Sequence, residues 1–220
     1  MKIKKQMSET LFIGVLLALV GGFLDAYTYL CRGHVFANAQ TGNIVLLGIR
    51  FIEGNYLDFI YYLFPIFTFF IGILISEVIK SHYQYHNKIH WRQMILCIEL
   101  LILIIVSFLP KDYNMLCNMM IAFVCSLQVQ SFRKFNGNPF ASTMCTGNLR
   151  SATEHFYQYI HNKNKDSLSK SLQYYMIILF FIIGACLGTY FTNILNIKAT
   201  LISALLLFIV ILFMFIKHER

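Results

Sequence analysis

Asp25 stands inside an apolar run, Leu11 to Leu30, that carries no other charged residue. Placing an aspartate at the centre of a membrane helix costs about 2.5–3.5 kcal/mol on insertion scales, so its presence asks for a reason. The chemistry open to it is proton or cation binding. An apolar setting favours the neutral acid, and hydration or a bound cation favours the carboxylate. The bland alternative is a carboxylate near the membrane boundary, hydrated or bonded to Arg32. Glu99 is the second carboxylate inside an apolar run. It either faces a cavity or pairs with Arg92, seven residues or two helical turns away. His82, His86 and His90 recur at every fourth residue. On a continuous helix they would make a metal face. Tyr83, Tyr85 and Asn87 among them read instead as a solvated loop, and no metal or other cofactor is expected. The cysteines (Cys31, Cys97, Cys117, Cys125, Cys145 and Cys186) form no CxxC pair. They read as small residues in apolar surroundings, supporting neither a disulfide framework nor a zinc site. GxSxG, HExxH, Walker A and GxGxxG are all missing, so the expectation is that the chain is not an enzyme.

Two stretches position these groups. The first runs Gly21-Gly22-Phe23-Leu24-Asp25-Ala26, then Phe36-Ala37, then Thr41-Gly42-Asn43. The second runs Ser126-Leu127-Gln128-Val129-Gln130, then Phe140-Ala141, then Thr146-Gly147-Asn148. In each, an apolar segment meets polar residues, bends through a loop, passes Phe-Ala and ends at Thr-Gly-Asn. Superposing the triplets leaves the Phe-Ala pairs one residue apart. We read one unit used twice, with a single-residue indel.

Composition supplies the setting. Of 220 residues, 58% are hydrophobic and 13% charged, and mean hydropathy is +0.63. A soluble domain of this size could not hide so much apolar surface, so an integral membrane protein is expected. The net charge of +8 does not point to nucleic acid, because the basic residues lie between apolar segments. Six apolar runs are long enough to cross a bilayer, at about 10–31, 58–79, 93–109, 114–133, 171–192 and 199–216. Met1 to Lys5 followed by Leu11 to Val20 resembles a signal peptide, but the run continues to about Leu30 and lacks an A-x-A site. It is expected to be an uncleaved first span.

Lys and Arg counts set the orientation. With the N-terminus in the cytoplasm, fourteen fall in inside segments. Four (Arg32, Arg50, Lys111 and Lys198) fall outside. Both termini are expected in the cytoplasm and the protein in the cell membrane. Each half, about 10–109 and about 114–216, then holds three spans. An odd number inverts the second half, giving a 3+3 inverted repeat within one membrane domain, an architecture that many transporters use for alternating access.

The stretch Val35 to Ile49 is mostly apolar. Thr41 is expected to cap a short helix from near Gly42, either re-entrant or lying at the interface. Asn148 to Ile160 is more polar and is expected to form an interfacial helix, followed by a flexible linker over His161–Lys170. Small residues four apart mark close helix packing: Thr68, Gly72 and Ser76 on the second span, and Gly184, Gly188 and Thr192 on the fifth. Gly21-Gly22 is a candidate bend in the first span.

Gly22-Phe23-Leu24-Asp25-Ala26, Phe36, Gln128 and the two Thr-Gly-Asn triplets resemble the YoaK family over nearly the whole chain. These are small, mostly bacterial, multi-pass membrane proteins without an assigned function. Ser126 stands where Gly is expected in the second half, and Gln130 where a small residue is. The resemblance implies topology and names no substrate.

The expected function is a secondary transporter or channel for a small polar or ionic solute. Its site would lie between the halves, lined by Asp25, Asn38, Thr41, Gly42, Asn43, Gln128, Gln130, Thr146, Gly147 and Asn148. Asp25 would face the two glutamine amides across a pseudo-twofold axis, and Glu99 is a second ionisable candidate. The alternative is a scaffold that binds a membrane partner without transporting anything. The partners are the bilayer and an unidentified solute, with a homo-oligomer left open.

Overall fold

All six apolar runs fold as helices, and two further helices carry the Thr-Gly-Asn triplets in their first turns. The computed structural model describes residues 7–84 and 90–216. Among them the first half holds α1 (Leu11–Cys31), α2 (Gln40–Ile52), α3 (Tyr56–Tyr83) and α4 (Trp91–Val106). The second holds α5 (Asn114–Ser131), α6 (Cys145–Asn162), α7 (Lys165–Leu195) and α8 (Thr200–Ile216). A two-residue hairpin, β1 (Lys134–Phe135) against β2 (Asn138–Pro139), sits between α5 and α6. Its turn, Asn136-Gly137, takes positive φ at both residues, as Asn-Gly hairpins do.

Among the described residues, four stretches are long and apolar enough to cross a membrane: Leu11–Cys31, Tyr56–Tyr83, Trp91–Phe108 and Lys165–Phe215. The last contains both α7 and α8, turned at Asn196 with φ 51°. α5 falls outside this set because Asn114, Asn118, Gln128 and Gln130 dilute its apolar character. Large apolar side chains face outward on the long helices, among them Phe67 and Phe70 on α3, Leu101 and Ile105 on α4, and Leu205 and Phe208 on α8. So much exposed apolar surface suits a lipid surrounding. The chain is an all-α membrane protein.

α1 is the hub. Ile13, Leu17, Val20, Phe23, Leu24 and Tyr27 are buried with residues of α4, α5 and α8. Its opposite face packs most extensively on α7. The next most extensively packed pairs are α3 with α5, α6 with α7, α2 with α3, α4 with α8, α4 with α5, and α1 with α8. Small residues make the close approaches. A Cβ added at Gly22 would land on the Phe181 carbonyl, and one at Gly184 on the Leu19 carbonyl. Gly72 meets Ser126 in the same way. α1 runs unbroken through Gly21-Gly22, so the expected bend is replaced by close packing.

Arg32 ties the helix ends together. It is fully buried. Its guanidinium donates to the carbonyls of Val106, Leu109 and Pro110, to Tyr27 Oη and to Asn114 Oδ1. It thereby caps the last turn of α4, whose carbonyls have no helical partner. It therefore does not bond Asp25. At the opposite end Gln93 donates to the Met214 carbonyl of α8. Arg92 there bonds Ser8 Oγ, Glu9 Oε1 and the Ser131 carbonyl.

Two local expectations change. α2 starts at Gln40 with Ala39 as its uncapped N-cap, so Thr41 lies inside the first turn. No flexible linker spans His161–Lys170. α6 runs to Asn162, Lys163 closes it in the left-handed region, and Asn164 caps α7 by accepting from the Asp166 amide. Two adjacent capping residues suffice to reverse the chain. His86, Lys88 and the basic residues of both termini lie outside the described residues.

Candidate functional site

Two loops lie along two helices, and polar side chains fix them there. The loop after α1 is held by α1 itself. Asp25 Oδ1 accepts from the Asn38 amide at 3.1 Å, and Asn38 Nδ2 donates to the Gly21 carbonyl at 2.9 Å. Thr28 Oγ1 accepts from the Ala37 amide. The loop before α6 lies along α5. Gln128 Nε2 donates to Ser142 Oγ at 2.6 Å and to the Leu17 carbonyl at 3.3 Å. The Cys125 thiol sits between the loops, 3.5 Å from Thr143 Oγ1 and 3.8 Å from the Asn38 carbonyl. Each triplet asparagine closes its own loop, Asn43 donating to the Phe36 carbonyl and Asn148 to the Ala141 carbonyl, both seven residues back.

These loops leave a cavity of about 570 Å³ between them. Asp25, Asn38 and Thr41 line it from the first half, and Thr143, Thr146 and Gly147 from the second. Phe36, Phe69 of α3, Phe181 of α7 and Met144 supply apolar wall. The first helical residues of α2 and α6, Gln40 and Cys145, are also on the wall. Neither helix has a side-chain N-cap. Two helix N-termini, each with free N–H donors and a partial positive charge, thus converge on the cavity that holds Asp25. Asp25 is the one charged residue in the wall among the described residues.

Met144 and Gly147 also line a second cavity, of about 440 Å³, together with Gln130, Arg133, Asn148 and Ser151. Gln130, Arg133 and Pro139 are shared in turn with a third, of about 430 Å³, that includes Arg92 and Lys134. The three adjoin in a row from Asp25 toward the basic end of the helices.

Of the expected site residues, Asp25, Asn38, Thr41, Thr146 and Gly147 meet at the central cavity. Gln130 and Asn148 lie on the second. Gly42 and Asn43 are off the central wall, Asn43 being used to hold its loop. The expected pairing of Asp25 with two glutamine amides does not form. Gln128 serves the loop before α6, and Gln130 donates to the Glu77 carboxylate on α3. In the register that aligns Gly22 with Ser126, the residue matching Asp25 is Val129, so the site is asymmetric in charge. The expected solvated loop does not hold all three histidines. His82 lies instead in the last turn of α3 and bonds the Val78 carbonyl, His90 caps α4, and His86 lies outside the described residues. No metal-binding group of residues is found among the described residues.

Glu99 is fully buried and neither carboxylate oxygen has a partner among the described residues. Its expected bond to Arg92 is not made, because Arg92 turns toward Glu9 and Ser131. A buried polar group left unpaired costs about 1–3 kcal/mol. Glu99→Leu is therefore expected to raise stability by about that amount, read as a higher melting temperature in detergent. A lower one would mean the carboxylate carries a structural load.

Phe69, Phe181, Thr143, Met144 and Cys145 escaped the sequence reading. A signal was present: Phe69 and Phe181 each precede by three residues a packing glycine, Gly72 and Gly184.

The model of a family described as "Protein of unknown function (DUF1275)" matches residues 13–213. The chain belongs to the DUF1275 family. YoaK is a member of the same family, which agrees with the resemblance carried by Asp25 and the triplets. Searches of curated proteins and of solved structures find no match. The DUF1275 match covers α1 through most of α8, so the cavity lies wholly inside the family's extent.

Proposed function

We propose that this DUF1275 protein is a secondary transporter or channel for a small polar or ionic solute, built as an inverted repeat in the cell membrane. The observation that carries this reading is the cavity wall, most of whose residues come in matched pairs from the two halves. Ala39, Gln40 and Thr41 correspond to Met144, Cys145 and Thr146 by the triplet register, and Phe69 corresponds to Phe181 by the packing glycines. A scaffold has no need of a cavity with polar groups built largely from equivalent parts of both halves. Helix packing supports the repeat. Exchanging α1–α4 for α5–α8 turns α1·α7 into α5·α3, α2·α3 into α6·α7, and α4·α5 into α8·α1. α2 and α6 would act as half-helices whose N-termini meet at the central cavity, a recurring transporter device. The row of cavities toward the basic end supplies one access route. The Lys/Arg bias favours the cytoplasm for that end and for both chain termini.

Cys145, partly exposed on the cavity wall, is a native reporter. With the other five cysteines replaced by serine or alanine, a membrane-impermeant methanethiosulfonate is applied to either face of sealed vesicles. Alternating access predicts labelling from both faces, with reaction from one face blocking reaction from the other. Labelling from neither face favours the scaffold, and labelling from one face alone makes the site a blind pocket. Either result removes the transport reading.

A further inference from the structure

The central cavity presents two kinds of unmet polar demand on an otherwise apolar wall. The first is for a hydrogen-bond donor. Asn38 is 4% exposed, and its Oδ1 has no partner although its Nδ2 is committed to the Gly21 carbonyl. That commitment leaves Oδ1 as an acceptor. Asp25, whose carboxylate binds the Asn38 amide, lines the same wall. A cationic group seated there would satisfy both. The second demand is for an acceptor. The α2 and α6 N-termini have no side-chain cap and open on the cavity. Helix N-termini favour anions through their free N–H groups and dipole. Aromatic rings, Phe69 and Phe181, line the same cavity.

Resting on the transport reading above, we infer that the cavity binds a small zwitterion, an α-amino acid with an apolar side chain. Its ammonium sits between Asp25 and Asn38 Oδ1, its carboxylate at the α2 and α6 N-termini, and its side chain against Phe69 and Phe181. A volume of about 570 Å³ falls in the range of small-molecule sites. A plain anion would leave the acceptors unmet, and a plain amine would leave the helix ends unmet.

The test uses the full-length protein in detergent and follows its melting temperature. The probes are L-leucine, L-valine and L-phenylalanine. Two half-molecules of leucine accompany them: 4-methylpentanoate, which lacks the ammonium, and 3-methylbutylamine, which lacks the carboxylate. At least one amino acid is expected to give a saturable rise. Each half-molecule should need at least about tenfold higher concentration for half-saturation. Asp25→Asn and Asn38→Ala should each weaken the amino-acid response by about tenfold or more. Should Asn38→Ala fail to fold, Asp25→Asn decides, since it keeps an acceptor for the Asn38 amide. An equal response to the carboxylate alone, an equal response to the amine alone, or no response to any amino acid overturns the inference. Alternating labelling of Cys145 in that case preserves the transport reading, so the two failures are distinguishable.

Discussion

Asp25→Asn is expected to leave the protein folded and inserted while abolishing pH-dependent transport. The substitution preserves shape and the Oδ1 that accepts from the Asn38 amide. It removes the charge and the proton that charge can take up. In the cavity wall Asp25 has no second carboxylate to replace it, since Val129 occupies the matching place on α5. Hydrogen bonds to charged groups contribute about 1.5–3 kcal/mol, so binding of a cationic group should weaken about ten- to hundredfold. A carboxylate that alternates between a neutral and a charged form can couple protonation to the change between two conformations, and the amide cannot. The measurement is uptake into proteoliposomes at several pH values, with melting temperature and elution volume followed in parallel. Unfolding of the variant, or uptake with its pH dependence intact, makes Asp25 a structural residue.

A second large effect is expected from one methyl group. Gly22→Ala or Gly184→Ala should destabilise by about 3 kcal/mol or more, because the added Cβ meets backbone on the facing helix. The contact at Gly22 is the Phe181 carbonyl, and that at Gly184 is the Leu19 carbonyl. Neither can rotate aside as a side chain could, so α1 and α7 must separate. Phe181 would move with α7, and the cavity wall with it. Gly48→Ala on α2 is the control. A Cβ there meets nothing within 4 Å, and alanine favours the helix by about 0.8–1 kcal/mol. Melting in detergent should fall sharply for the first two variants and hold or rise for the third. Equal behaviour of all three would mean that α1 and α7 are not held by this backbone contact.

The residues themselves determined a great deal. Apolar runs of spanning length became helices, mostly within a few residues of their expected ends, α7 starting six residues early at Lys165, because a chain in lipid must satisfy its backbone internally. Thr-Gly-Asn, repeated with Phe-Ala before it, marked the two loops that now face one cavity. Small residues spaced by four marked α3 and α7 as closely packed, and the contacts at Gly72 and Gly184 carry that through. Asp25 was conspicuous because a lone charge in an apolar run is costly wherever it sits.

Partner choice was decided by the tertiary structure alone. Gln128, Gln130 and Arg92 could each reach several acceptors, and spacing along the chain does not rank them. Gln130 went to Glu77 because α3 packs against α5, a pairing between halves that no local pattern encodes. Arg32 looked like a loop charge. The ends of α1, α4 and α5 meet around it, and their unsatisfied carbonyls and Asn114 drew it into the interior. The partnerless Glu99 and the convergence of two helix N-termini on Asp25 are likewise properties of assembly. Hydrogen-bond satisfaction and dipole direction depend on what lies across a gap, and the gap exists only once the two halves have packed.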